Sequence, residues 1–238
     1  MQTSALRTQR WIRRFVCLLS ELCVLSCAAS AYEPGKFYWQ GKTQEKVIAL
    51  TFDDGPGRFT VPILDLLKKH NIRATFFMEG TMVETYPEIA RQVAQAGHEI
   101  GNHTYVHFNY RLAKNAAPER LTHELAQTEA ALERAAGVRT QIVRMPHGYY
   151  NRTWLLPTLK EHGYALVHWS FGTDWHLKVP QEQMIQEYLA AAKPGAVFLF
   201  HDGGRRREKT LAVVTAVVEA LEKQGYRFIS AEEMFKGS

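Results

Sequence analysis

From residue 46 onward the chain alternates between two textures of apolar spacing. Short, nearly uninterrupted apolar runs lie at 46–52, 74–77, 98–102, 141–145, 164–170, 196–200 and 226–229. Runs of this length, rich in β-branched and aromatic residues, predict strands covered on both faces. Longer segments at 60–70, 86–96, 118–136, 151–162, 181–191 and 210–224 carry apolar residues at helical spacing. In the first of these, Ile63, Leu64, Leu66 and Leu67 make one stripe, and Thr60 stands where a capping residue belongs. Gly97, Gly137, Gly163 and Gly225 each come just after a helical segment, where a left-handed residue closes a helix at low cost. Strand–helix alternation predicts an α/β fold with a parallel sheet under helices. Seven such strands suggest a (β/α) barrel one unit short of eight; an open doubly wound sheet is the alternative. No linker or repeat interrupts residues 32–238, which are read as one domain with an extended lead-in at 32–45.

Composition narrows the class. The 238 residues are 46% apolar, 22% charged and 11% aromatic, which supports a large core and excludes disorder or a coiled coil. No uncharged apolar run reaches about 18 residues, so a multi-span membrane protein is excluded. Cys17, Cys23 and Cys27 are the only cysteines, which leaves the main domain without a disulfide framework, thiolate metal site or cysteine nucleophile. The first 31 residues carry +3 of the net charge of +5, so no basic stripe is left to argue for nucleic acid. Arg7, Arg10, Arg13 and Arg14 precede an apolar stretch at 15–27, broken by Glu21, and then Ala29-Ser30-Ala31. This is the layout of an export signal, and Val24-Leu25-Ser26-Cys27 resembles a lipoprotein cleavage box. Residues 1–31 are therefore read as a signal peptide or a membrane or lipid anchor. The protein is expected to be exported: periplasmic, envelope-associated or secreted.

In either parallel architecture ligands bind beyond the C-terminal ends of the strands. After the first predicted strand come Asp53-Asp54-Gly55-Pro56, and after the third His103 and His107. Arg144-Met145-Pro146-His147-Gly148 marks the end of the fourth, Asp174-Trp175 lie past the fifth, and His201-Asp202 past the sixth. Ordinary loops favour Lys, Glu and Ser over this set of His, Asp and Trp. His103 and His107 are spaced so that on a helical turn both rings face one way and can share a metal, although spacing alone fits a structural pair equally well. A carboxylate from Asp54 would complete three ligands with open positions, the make-up of a catalytic zinc site or of a non-haem iron site. Neighbours at an extended end diverge, so one aspartate can bind metal while the other stays free as a base; Gly55-Pro56 also fits a tight turn. Arg144 is a candidate partner for Asp53. Asp174 is available to hold His201, which would raise the imidazole pKa and keep it a proton donor near neutral pH. Arg205-Arg206-Arg207 is read as a solvated loop, and Trp169 as a core residue.

These residues make five motifs in a fixed order. Thr51-Phe52-Asp53-Asp54-Gly55-Pro56, His103-Thr104-Tyr105-Val106-His107 and Arg144-Met145-Pro146-His147-Gly148 are the first three. Trp169 through Asp174-Trp175, and Leu199-Phe200-His201, are the fourth and fifth. Together they resemble the polysaccharide deacetylases of carbohydrate esterase family 4, the nodulation-protein-B homology domain, over residues 45–236. The resemblance implies a distorted seven-stranded (β/α) barrel and metal-dependent removal of acetyl groups from sugar polymers. It implies Asp54, His103 and His107 as metal ligands, Asp53 as general base and His201 as general acid. Arg144 would position Asp53, and Asp174 would position His201. The His147 backbone N–H would hold the oxyanion, and Trp175 and Leu199 would wall the acetyl methyl pocket. Zn2+ is the expected ion, with Co2+ or another divalent ion as alternatives. The expected partner is an acetylated glycan such as chitin oligomers, peptidoglycan or an exopolysaccharide, and the expected state is a monomer. Two departures stand out: His147 replaces the usual Tyr or Phe, and Gly172-Thr173 stand where the fourth motif commonly carries an extra acid. The competing readings are an O-acetyl esterase acting on xylan with the same site, and a glycan-binding protein with a decayed one. An iron oxygenase would leave His201 and Arg144 unexplained.

Overall fold

The computed structural model describes residues 31–176, 178–204 and 207–236. All but the last residue of the expected address at 1–31 lie outside the described residues, as do Arg205 and Arg206. Residues from Ala31 onward form a single unit. Among the described residues, no helix is long and apolar enough to cross a membrane. The strands are β1 (Phe37–Tyr38), β2 (Val47–Gly55), β3 (Thr75–Met78), β4 (Glu99–Asn102), β5 (Ile142–Val143), β6 (Ala165–Val167), β7 (Ala196–His201) and β8 (Arg227–Ile229). The helices are α1 (Thr60–Lys69), α2 (Gly80–Thr85), α3 (Pro87–Gln95), α4 (Pro118–Ala136), α5 (Leu155–Glu161), α6 (Gln181–Ala191), α7 (Glu208–Lys223) and α8 (Ala231–Phe235).

Every strand pairing is parallel, in the order β1-β6-β5-β4-β3-β2-β7, with β8 also on β2. The sheet curls far enough that the chain just past β6 reaches β7: Phe171 bridges Phe198, and Leu199 N–H donates to the Phe171 carbonyl. The distorted barrel expected from the motifs is therefore the observed fold. Its irregularities fall where strands are short. β8 pairs only with Val47–Ala49 at the start of β2, whereas β3 pairs with the upper part of β2. The lead-in contributes the two-residue β1, which pairs with β6.

Alternation along the strands separates two cores. Ile48, Leu50 and Phe52 of β2, Phe76 and Met78 of β3, and Phe198 and Phe200 of β7 pack outward with Ile63, Leu67, Val213, Val217 and other helix residues. The intervening residues Ala49, Phe77 and Val197 join Ile142, Ala165 and Val167 in a second cluster inside the barrel. Tyr32, Tyr38, Ala231 and Phe235 belong to the same inner cluster, and Ala231 N–H donates to Thr75 Oγ1 near the start of β3. Period-two alternation carries this inward face on to the C-terminal ends of the strands. On β2 the inward series runs Ala49, Thr51, Asp53; on β7 it runs Val197, Leu199, His201.

Thr60 corrects one expectation. It is the first residue of α1 rather than its cap, and its hydroxyl accepts the Gly57 N–H and donates to buried Asp202. Predicted strands at 141–145 and 164–170 shrink to β5 and β6, because Arg144 and Met145 turn off into the Pro146–Gly148 turn and residues 168–171 cross towards β7. Helices α2 and α8 had no sequence signal, being too short to show a period.

Candidate active site

The ladder between β2 and β7 sets Asp53 directly beside His201. Both point inward at the C-terminal mouth of the barrel, so two groups 148 positions apart are juxtaposed by register alone. One residue later the β2 register shifts, and Asp54 takes a left-handed conformation at φ 69°. That bulge turns Asp54 away from the direction of Asp53. It is accommodated because Gly203 lies against it: a Cβ at Gly203 would sit 1.7 Å from the Asp54 carbonyl oxygen.

His103 and His107 do not lie on a helical turn, as their spacing suggested. They flank a loop in which Thr104 and His107 are left-handed, at φ 66° and 53°. Buried Glu124 of α4 holds this loop by accepting the N–H groups of Tyr105 and Val106 at 3.0 and 2.8 Å. The rings converge all the same: each Nε2 is 3.3 Å from Asp54 Oδ1. His103 Nδ1 meets the Arg144 carbonyl at 2.7 Å. A carbonyl only accepts, so Nδ1 carries the hydrogen and Nε2 faces the site.

Arg144 is fully buried and ties three strands together. Its Nη1 donates to Asp53 Oδ1 and Thr51 Oγ1, both at 2.8 Å. Nε and Nη2 donate to the Val167 and His168 carbonyls, and the guanidinium lies over Phe77 at 4.1 Å. The pairing of Arg144 with Asp53 anticipated from sequence is present. So is that of Asp174 with His201: Oδ1 is 2.8 Å from His201 Nδ1, and Oδ2 accepts the His201 N–H and the Thr210 hydroxyl. The loop that lacks the extra acid is braced from α6 instead. Thr173 bonds Glu187 and Tyr188, and Tyr188 donates to the Leu199 carbonyl. Gly172 is required there, since a Cβ would come within 2.9 Å of both Leu199 and Trp175.

Electrostatics divides the imidazoles into different states. Burial would lower the His201 pKa, but the Asp174 charge and hydrogen bond, helped by Asp54 and Asp53, push it up to about 9. Burial and the neighbouring His103 push His107 down to about 3, which leaves it neutral and able to ligate. Burial also opposes the charged form of His103, but the two aspartates outweigh it and its pKa is raised. Burial would raise the Asp54 carboxyl, yet the close approach of His103 and the charges of His201 and His103 hold it far below the carboxylate range.

A cavity of about 540 Å³ opens over these groups, lined also by Asn109, Arg111, His147, Trp169, Trp175, Leu199 and Arg207. Trp175 is 38% exposed and stands edge-on to His201 at 5.8 Å, with Leu199 buried beside it. His147 is exposed and left-handed at φ 57°; its ring meets His107 at 4.7 Å and its carbonyl accepts from Arg111. Trp169 packs on the inner core and also lines the cavity. A second cavity of about 710 Å³ shares Asp54 and His107 and continues past Gly57, Arg58, Glu79, Met82 and Tyr86. Asp54 and His107 thus line both cavities.

Two features correct or extend the sequence reading. Arg207 is buried rather than solvated, with Nη2 3.6 Å from Asp54 Oδ2. Thr210, Glu124 and Thr60 brace the site through side-chain hydrogen bonds that no local pattern announces. The groups also satisfy what a cation would need. One ligand atom each from Asp54, His103 and His107 lies within 4.8 Å of the others, and Asp54 Oδ1 is buried with no hydrogen-bond partner among the described residues. An anionic oxygen left so is expensive unless a cation meets it.

Comparison with known proteins places the chain in a family. The family profile described as polysaccharide deacetylase matches residues 40–167. A peptidoglycan-N-acetylglucosamine deacetylase of Bacillus cereus is 36% identical, the match covering 85% of this chain and 94% of that protein. A chitooligosaccharide deacetylase of a Bradyrhizobium species is 32% identical over 75% of this chain and 86% of its own. The crystal structure of a peptidoglycan N-acetylglucosamine deacetylase in complex with an N-oxidanyl-benzamide superposes with a TM-score of 0.78 at 35% identity, covering 85% of this chain and 94% of that one. With the fold, the five motifs and the profile in agreement, the chain belongs to the polysaccharide deacetylase family, whose members are hydrolases.

Proposed function

We propose that this protein removes N-acetyl groups from N-acetylglucosamine residues within a polysaccharide, using Asp53 as base and His201 as acid on either side of a cation held by Asp54, His103 and His107. The observation that carries the reading is the convergence of both imidazoles on Asp54 Oδ1, with Asp53 and His201 paired in register beside it. Zn2+ suits a set of one carboxylate and two imidazoles, and when bound such an ion polarises the acetyl carbonyl and acidifies water. The side chains do the rest. Asp53, whose Oδ1 is held by Arg144 while Oδ2 stands 3.8 Å from His103 Nε2, accepts the proton of the attacking water through Oδ2. The His147 N–H donates to the carbonyl oxygen as that oxygen gains negative charge, a contribution of several kcal/mol in such sites. His201, protonated at neutral pH, gives its proton to the amide nitrogen as the C–N bond breaks, leaving acetate and a free amine. Trp175 and Leu199 enclose the acetyl methyl.

Two cavities that share Asp54 and His107 suit a chain rather than a free sugar. Peptidoglycan is the favoured polymer, because the Bacillus cereus relative carries that activity in its name and the N-terminal sequence pattern fits export to the envelope. The enzyme is proposed to act there as a monomer. The test is acetate release from peptidoglycan, chitin oligomers and acetyl-xylan, with and without a chelator. Release from N-acetylglucosamine polymers that stops with chelator and returns with Zn2+ or Co2+ is expected. Release from acetyl-xylan alone would establish the O-acetyl esterase reading, and release unaffected by chelation would overturn the metal site.

A further inference from the structure

Asp54 offers its two carboxylate oxygens to different partners. Oδ1 faces His103 and His107, while Oδ2 faces the Arg207 guanidinium at 3.6 Å. Arg207 comes from the loop after β7, and its Nε donates to the Gly203 carbonyl at 2.7 Å. Burying a guanidinium is costly unless an anion answers its charge. Among the described residues, Asp54 is the carboxylate with which Arg207 pairs.

The contact adds little to where the Asp54 backbone sits. Its backbone is already held by the bulge in β2, by its left-handed φ and by the close approach of Gly203. The separation is also longer than the ~2.8 Å of a charge-assisted hydrogen bond, so the contact is mainly one of charge. That charge stands nearest Oδ2, and it lowers the donor strength of the whole carboxylate.

We infer that Arg207 is a positioning residue for the Asp54 carboxylate: it reserves Oδ2, so that Oδ1 alone is presented to the cation, as a weaker donor than a free carboxylate. The inference rests on the proposed metal site. Its consequence is an ion held less tightly, with fewer of its positions filled by protein.

The experiment compares Arg207→Gln, which keeps a donor for the Gly203 carbonyl, with Arg207→Lys, which keeps the charge. Two quantities are read on each protein: the Zn2+ dissociation constant by chelator competition, and the visible absorption of the Co2+-loaded form. Arg207→Gln is expected to bind Zn2+ about tenfold more tightly, the effect of removing one positive charge beside the ligand. Its Co2+ band is expected to weaken as a second carboxylate oxygen joins the set. Arg207→Lys is expected to match the wild type in both. A Gln variant indistinguishable from wild type, or one that binds more weakly and is not rescued by Lys, would overturn the inference. If Arg207→Gln does not fold, the Lys variant decides: wild-type affinity and spectrum support the role, and a departure in either refutes it. A wild-type protein that binds no divalent ion would instead overturn the metal site itself.

Discussion

Asp174→Asn removes the largest of the charges that raise His201. The amide is the same size and can still accept the His201 backbone N–H and the Thr210 hydroxyl through its oxygen, which leaves its NH2 facing His201 Nδ1. It cannot supply the negative charge that, against burial, takes the imidazole from 6.5 to about 9. Without that charge burial is opposed only by Asp54 and Asp53, and the ring should titrate closer to its ordinary value. A displacement of that size corresponds to about 3 kcal/mol of differential stabilisation of the protonated ring. The sign comes from the role of acid: the protonated form is needed, so the loss must grow with pH. With the ring at 6.5, the protonated fraction near pH 6 falls only about 1.3-fold, whereas near pH 8 it falls about 30-fold. The assay is kcat/KM for acetate release across the pH range, together with titration of the His201 ring by NMR. In the variant the basic limb should move from about 9 towards 6.5. A uniform loss at every pH, with the limb in place, would show that Asp174 acts by geometry alone and refute this reasoning.

The same geometry carries three more expectations. Asp53→Asn should lower kcat by ~10²-fold or more while metal content, read by elemental analysis, stays at the wild-type level; retained activity would remove Asp53 from the role of base. Gly203→Ala should displace the Asp54 backbone, because its Cβ would fall 1.7 Å from a carbonyl oxygen, and so weaken Zn2+ binding in a chelator titration without abolishing folding. Burial, aided by the charges of Asp54 and Asp53 and opposed by the Thr60 hydrogen bond, pushes Asp202 up to about 7 from the ordinary 3.8. A group raised in the folded state contributes stability that is complete below its unfolded pKa and lost as pH rises through the folded one. Wild type should therefore lose stability relative to Asp202→Asn between about pH 4 and 7, as measured by urea midpoints; a constant difference between the two would count against it.

The strand–helix alternation, the barrel class and the positions of the chemical groups were legible in the sequence, because all of them rest on local rules. A buried parallel strand must be apolar throughout, and a residue just past its end must lie at the mouth. That is why Asp53, Asp54, His103, Arg144, Asp174 and His201 were all found by reading the residues immediately beyond each apolar run. The five motifs added an order and a family, since they are short and contiguous.

What only the tertiary structure decided depends on contacts between distant segments. The convergence of His103 and His107 comes from a left-handed loop clamped by Glu124, and a helical turn would have been the wrong path to the right result. Arg207 looked like one of three solvated arginines because its burial is imposed by the turn over Gly203 and Asp54, and no neighbour in sequence shows it. The pairing of Asp53 with His201 is a matter of ladder register, which apolar spacing alone leaves open. The chain's own pattern thus determined which groups reach the mouth of the barrel. Their charge states and mutual orientation were decided only when burial removed water and placed each ionisable group beside its counter-charge.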